Sequence, residues 1–359
     1  MTILKLLNER KNNFTLMRLL AALAVLFGHS YVLSTGLKAG EDPISNYLLL
    51  TWGESLPSIS VNLFFVTSGF LVCSSYMQRE NWFSFAEARI LRIFPALIFA
   101  VLFCVFVVGA FATTELPEKY FSSPSTWEFL KRNTILITGI QYDLPGVFVN
   151  NPYPMSVNGS LWTLPIELRM YFLIAALGLM SILKDKKIFN LFFIIICLIY
   201  AQSSDNNFFL MRDLRSAHLA LLFILGAFIY VNREAIPLNF LTLATLGILV
   251  FFTRNYSFTL FVKSIWFAYF VLLLALHPKL RLPSIDHFGD ISYGLYIYAF
   301  PVQQTFAYLL PSLQPLSMFI YSLLLTTLLA ILSWFLIEKP SLRLKGKLIL
   351  FKDAKNDPG

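Results

Sequence analysis

Arg18 and His29 lie in one apolar run, Phe14 to Ser34, where neither side chain belongs unless it has work to do. Along Arg18-Leu-Leu-Ala-Ala-Leu-Ala-Val-Leu-Phe-Gly-His29 the two are eleven positions apart. At about 100° per residue they return to within about 20° of one face of a helix, about 16 Å apart along its axis. Ionisable residues inside an apolar span are costly and mark functional sites by default. An imidazole titrates near neutrality, which suits it to general-base work such as taking the proton of a sugar hydroxyl that attacks a thioester. Each residue alone has a simpler explanation. An arginine near a helix end can snorkel to lipid phosphate, and a lone histidine can be a packing residue. Their shared face, with Ala21, Ala22 and Gly28 beside it, favours a polar stripe turned into a helix bundle.

A second cluster is Arg89-Ile-Leu-Arg92-Ile-Phe-Pro95. Three-residue spacing sets both guanidinium groups on one helix face, where they can grip phosphates in bidentate fashion or simply anchor the chain at a cytoplasmic boundary. The third cluster is Asn158-Gly-Ser-Leu-Trp162-Thr-Leu-Pro165-Ile-Glu167-Leu-Arg169. Trp162 alone would read as an interfacial aromatic. Glu167 and Arg169 in the next turn should not face lipid, and an aromatic platform beside a carboxylate is common equipment for holding sugars.

The elements that must position these residues are membrane spans. Of the 359 residues, 57% are hydrophobic and only 13% charged, against roughly 25% charged in soluble domains. The apolar runs are continuous rather than alternating, and a spanning helix takes about 20 residues, so the fold class is an all-α polytopic integral membrane protein. About ten transmembrane helices are expected, at about 14–35, 58–78, 90–112, 160–183, 188–203, 214–231, 238–253, 256–277, 288–311 and 315–338, with 188–203 and 238–253 the shortest. The first run is too long for a signal-peptide core and reads as a span that also directs insertion. With both termini cytoplasmic, 18 Lys and Arg fall inside and 7 outside, as the positive-inside rule requires. The charge of +8 thus serves topology, and no nucleic-acid partner is expected. The segment 113–159 is the longest extramembrane stretch, rich in Pro, Asn, Tyr and Trp, and a short interfacial or re-entrant helix is expected near 127–140. The whole chain, 1–359, reads as a single membrane domain, with a core over 14–340 and a cytoplasmic tail over 341–359. Cys73, Cys104 and Cys197 all fall in apolar spans and read as small buried hydrophobes. His218, His277 and His287 have no ligand spacing, and no metal is expected. Lys263 lies within a span, where it can snorkel or pair with an acid.

These segments together resemble the acyltransferase-3 family of bacterial membrane O-acyltransferases. The matching stretches are Arg18…His29, Val61-Asn-Leu-Phe-Phe-Val-Thr-Ser68-Gly69-Phe70-Leu, Arg89-x-x-Arg92-x-x-Pro95, Gly159-Ser-Leu-Trp162-Thr-Leu-x-x-Glu167, Ile291-Ser-Tyr293-Gly-Leu-Tyr296 and Glu338-Lys-Pro340. The resemblance implies about ten helices and a bacterial inner-membrane location. It also implies acyl-CoA, usually acetyl-CoA, as cytoplasmic donor and a hydroxyl of an envelope polysaccharide or lipid-linked saccharide as acceptor. Carried over, His29 becomes the base and Arg18 its partner, with Glu167 completing the reaction site. Arg89 and Arg92, with Arg18, become CoA-binding residues. Trp162, Asn158, Ser68 and Tyr293 would line the acceptor side. Many members carry a histidine two residues before the proline of the late Tyr-rich helix; here that position is Ala299, in Tyr298-Ala-Phe-Pro301, so no role for a second histidine carries over. The acyl group can pass directly or through an acyl-enzyme. Ser68 is then either the carrier or a small residue permitting helix contact. The rival class is a polytopic transporter or exporter of a saccharide or small molecule, which would move its substrate without CoA and often shows repeated broken helices. No such repeat is visible.

Overall fold

A computed structural model describes residues 1–9, 11–36, 42–79, 81–202, 211, 213–256, 258–285 and 289–347. Arg10, Lys38, Arg212, His287 and the tail beyond 347 lie outside the described residues. Among those described there is no β-strand, only isolated bridges at Thr2–Pro237 and Thr113–Val147. The protein is an all-α polytopic membrane protein. Every one of the ten expected spans coincides with a helix, and seven described helices are long and apolar enough to cross a bilayer: Phe14–Thr35, Leu56–Arg79, Trp82–Ala112, Gly159–Leu179, Leu214–Val231, Thr259–Leu276 and Pro315–Leu342. The helices Lys186–Gln202 and Phe240–Thr253 are shorter, at 17 and 14 residues. Ser292–Leu309 has 18 residues but carries Gln303, Gln304 and four tyrosines, which lower its hydropathy. In the 113–159 segment two short helices form, Pro117–Ser122 and Pro124–Ile135, each begun by a proline. The missing N–H of proline costs nothing at a first helical position.

The chain divides into two compact units. The first comprises Met1–Arg18, Val61–Phe85 and Ile166–His287; the second comprises Leu19–Ser60, Ala86–Pro165 and Phe288–Gly359.

In the first unit two helices cross backbone to backbone. A Cβ on Gly69 would stand 1.9 Å from the Phe223 carbonyl oxygen, and one on Gly226 would stand 2.2 Å from that of Val66. Lipid tails give apolar helices no reason to leave them, so close approach through glycine and the dispersion it brings is what holds such a pair. Asn13, just before the first span, donates to the carbonyls of Leu274 and Leu280, both at 2.8 Å, and accepts from Leu282 N. His277 caps the turn Pro278–Leu280 and meets Phe240 edge-on. Burial first, and the nearby Lys279 charge second, hold its pKa below the ordinary histidine value.

In the second unit the 113–159 segment is pinned to the helix Ser292–Leu309. Asn151 donates to the backbone and side-chain oxygens of Gln304 at 2.9 and 2.8 Å, and Gln304 donates onward to the carbonyls of Tyr153 and Ser156. Buried amides in a bilayer protein need such full use, because no water replaces a lost partner. Tyr120 donates to Val105 O, within the π-helical turn Cys104–Gly109.

Candidate active site

His29 sits in the third quarter of the helix Phe14–Thr35, half-buried, with its Nδ1 fully enclosed and without a hydrogen-bond partner among the described residues. Its ring meets Phe300 edge-on, centroids 5.4 Å apart at 81°. Phe300 is the hub of this end of the second unit. Tyr153 packs against it at 6.2 Å, and Gly159 lies so close that an added Cβ would stand 2.6 Å from Phe300 Cε2. Only glycine tolerates that approach, which brings the Asn158-Gly-Ser segment up to the ring that His29 touches.

One turn beyond Phe300, Gln303 is wholly buried. Its amide nitrogen donates to Leu26 O and to Ser30 Oγ, both at 2.8 Å, and so grips the helix on either side of His29. Ser30 Oγ itself donates to Leu26 O at 2.8 Å. The other oxygen of this arrangement, Gln303 Oε1, has no partner among the described residues; neither do Asn158 Oδ1 and Ser160 Oγ. Unsatisfied buried polar atoms are rare and costly in folded proteins. Here they and His29 Nδ1 all belong to segments that converge on Phe300.

Of the other expected site residues in this unit, Asn158 is buried and donates to Ile297 O at 2.9 Å. Trp162 is half-buried in the 3₁₀ turn Gly159–Thr163, next to Thr163, whose hydroxyl bonds Tyr296 OH at 2.9 Å. Tyr293 OH donates to Ile93 O at 3.1 Å. Arg92 makes two ion pairs, with Asp290 at 2.5 Å and with Glu338 at 3.3 Å, and its guanidinium lies about 6 Å from the rings of Tyr293 and Trp334. Glu338 is 2% exposed and also accepts from Ser333 Oγ. Two carboxylates thus share one guanidinium. Arg89 lies one turn earlier on the same helix, Trp82–Phe103.

Three expected site residues belong to the first unit. Ser68 Oγ donates to Glu167 Oε1 at 3.1 Å, and Tyr171 OH donates to the same oxygen. Glu167 Oε1 thus accepts from two hydroxyls. Arg18 lies on the same helix as His29.

Sequence reasoning missed Phe300, Gln303, Ser30, Asp290 and Tyr171. The signal that could have found the first two was the pair Gln303-Gln304 inside an apolar helix, since buried amides in a span are as unusual as charges. Among the described residues no three His, Cys, Asp or Glu side chains gather as a metal site.

Comparison with known proteins finds a family and several relatives. A family model described as an acyltransferase domain matches residues 11–338. An O-acetyl transferase of Shigella phage Sf6 is 28% identical over 92% of this chain and 96% of its own length. Nodulation protein 10 of Rhizobium leguminosarum bv. viciae is 27% identical over 94% of this chain and 95% of its own. O-acetyltransferase OatA of Staphylococcus aureus is 27% identical over 80% of this chain, which spans 53% of that protein. No solved structure matches significantly.

Proposed function

The chain belongs to the acyltransferase-3 family, and from that premise we propose that it moves an acyl group, acetyl in its simplest form, from acyl-CoA to a hydroxyl of a cell-envelope polysaccharide or lipid-linked saccharide. Family membership and the O-acetyl transferases among its relatives support O-acyl transfer. The observation that carries the site assignment is His29 Nδ1, enclosed and unpartnered among the described residues, on a ring that packs edge-on against Phe300.

In this proposal His29 takes the proton of the acceptor hydroxyl as its oxygen attacks the thioester carbonyl. The new C–O bond forms, the C–S bond breaks, and the leaving CoA sulfur recovers the proton from the imidazolium. Gln303 keeps the imidazole in place by holding Leu26 and Ser30. Asn158, Ser160 and Trp162 would face the acceptor, and the family resemblance assigns Glu167, which accepts from Ser68 and Tyr171 within the first unit, to the reaction as well. Arg18 and Arg89 would bind donor phosphates at the cytoplasmic mouth. Arg92, already matched by two carboxylates, serves that end by fixing its helix rather than by lending net charge. The protein would lie in the bacterial inner membrane with both termini cytoplasmic, consistent with the distribution of Lys and Arg.

The test is acyl transfer by the purified protein from labelled acetyl-CoA to envelope saccharide, run beside mass spectrometry of the surface polysaccharide with and without the gene. An acyl mass difference that depends on His29 supports the proposal. Substrate flux with no acyl product would replace it with a transporter.

A further inference from the structure

The first unit holds a cavity of about 650 Å³ lined by Leu4, Leu7, Asn8, Gln78, Tyr230 and Arg233. We propose that it is a site for the phosphate of an anionic phospholipid, separate from the acyl-transfer chemistry and independent of whether that reading holds.

Depth comes first. Gln78 is the penultimate residue of the helix Leu56–Arg79, Tyr230 the penultimate residue of Leu214–Val231, and Arg233 lies two residues beyond the latter. Both helices are long and apolar enough to cross a bilayer. A cavity at the ends of two spans lies at headgroup level, not in the hydrocarbon.

The lining is two-sided. Leu4 and Leu7 come from the short N-terminal helix Ile3–Asn8, whose Ile3 and Leu6 are fully buried and whose Lys5 is exposed. That helix is clipped in place by backbone bonds from Leu4 N to Arg233 O at 3.0 Å, Ile3 N to Ile236 O at 3.2 Å and Leu238 N to Met1 O at 2.8 Å. The rest of the lining is polar or aromatic: the amides of Asn8 and Gln78, the Tyr230 ring and the Arg233 guanidinium. A soluble anion would have no use for the apolar half of such a wall, whereas a lipid has both an anionic head and an apolar shoulder.

The cation is held ready. Arg233 stacks over the Tyr230 ring at 4.4 Å, and its Nη1 donates to Tyr230 O at 3.0 Å. Among the described residues no carboxylate lies within ion-pairing distance of it, and the adjacent Glu234 is engaged by Lys186 at 2.6 Å. A guanidinium so fixed keeps further N–H donors for the paired oxygens of a phosphodiester. Basic pockets between spans are where anionic headgroups settle.

The full-length protein, purified in detergent and loaded from mixed vesicles of phosphatidylglycerol and phosphatidylcholine, would be examined by native mass spectrometry for retained lipid. About a tenfold preference for phosphatidylglycerol is expected, falling to near parity in Arg233→Gln and largely kept in Arg233→Lys. Acyl transfer by the same preparations is expected to persist. Equal retention of the two lipids by the unaltered protein overturns the proposal without any variant. So does an undiminished preference in folded Arg233→Gln. Protection of the protein by inorganic phosphate with no preference between the lipids would also overturn it, by assigning the guanidinium to a soluble anion.

Discussion

Gln303 donates to Ser30 Oγ across 2.8 Å, and Ser30 is the residue that follows His29. The same amide nitrogen reaches Leu26 O, so one buried side chain fixes the rotation of the helix that presents the imidazole.

If His29 is the base, His29→Ala should lower acyl transfer by about 10²- to 10⁴-fold, the usual worth of a positioned proton acceptor. Circular dichroism and the melting temperature should stay near those of the unaltered protein. Turnover retained in a folded variant would reject the assignment.

Replacing Gln303 by leucine removes both donors from the His29 helix. Stability should drop by about 1–3 kcal/mol, as expected for lost buried hydrogen bonds. The more telling readout is kinetic, with a lower kcat and an unchanged KM for the acyl donor. A variant that loses stability yet keeps its kcat would mean that Gln303 matters only to folding.

Arg92→Gln removes the guanidinium that pairs with Asp290 and with Glu338, which is 2% exposed. Breaking a fully buried ion pair from one side costs about 3–5 kcal/mol; Arg92 and Asp290 are half-buried, so a smaller fall in the melting temperature in detergent is expected. Adding Glu338→Gln should recover part of the loss. Arg89→Gln is expected to behave differently, raising the KM for acyl-CoA with little effect on melting. Equal effects of the two arginine variants on donor KM would return Arg92 to the phosphate site.

Gly159→Ala places a methyl group 2.6 Å from the Phe300 ring. Overpacking of this kind costs about 1–3 kcal/mol, and here it should also cut turnover by displacing the ring against which His29 rests. Combining it with Phe300→Leu should relieve the clash; if activity is no better in the pair, the defect lies elsewhere.

Ser68 precedes Gly69 at the close crossing with Phe223, and its hydroxyl donates to Glu167, which also accepts from Tyr171; we read it as a small residue at a helix contact. Incubation with acetyl-CoA should leave no acyl adduct on Ser68 by peptide mass spectrometry, and Ser68→Ala should retain turnover. A trapped adduct at that residue would establish the two-step route.

Much of this protein is legible without coordinates. The bilayer forces backbone groups to bond within their own segment, so each continuous apolar run had to become a helix. The ten expected segments, from 14–35 to 315–338, all did, although seven are long and apolar enough to stand as spans. The charge of Arg18, the imidazole of His29 and the clusters about Arg89 and Trp162 announced themselves because polar groups in apolar runs are expensive.

Partnership was another matter. Arg92 meets Asp290 and Glu338 across 198 and 246 residues of sequence, and Gln303 meets Ser30 across 273. Local periodicity says which face of a helix is polar but not which distant face it will find, because packing between helices fixes that choice. The pairing sets Arg92, expected to grip a donor phosphate, in a partly buried ion-pair network with Asp290 and Glu338. It also made Phe300 and Gln303 the immediate neighbours of the His29 helix.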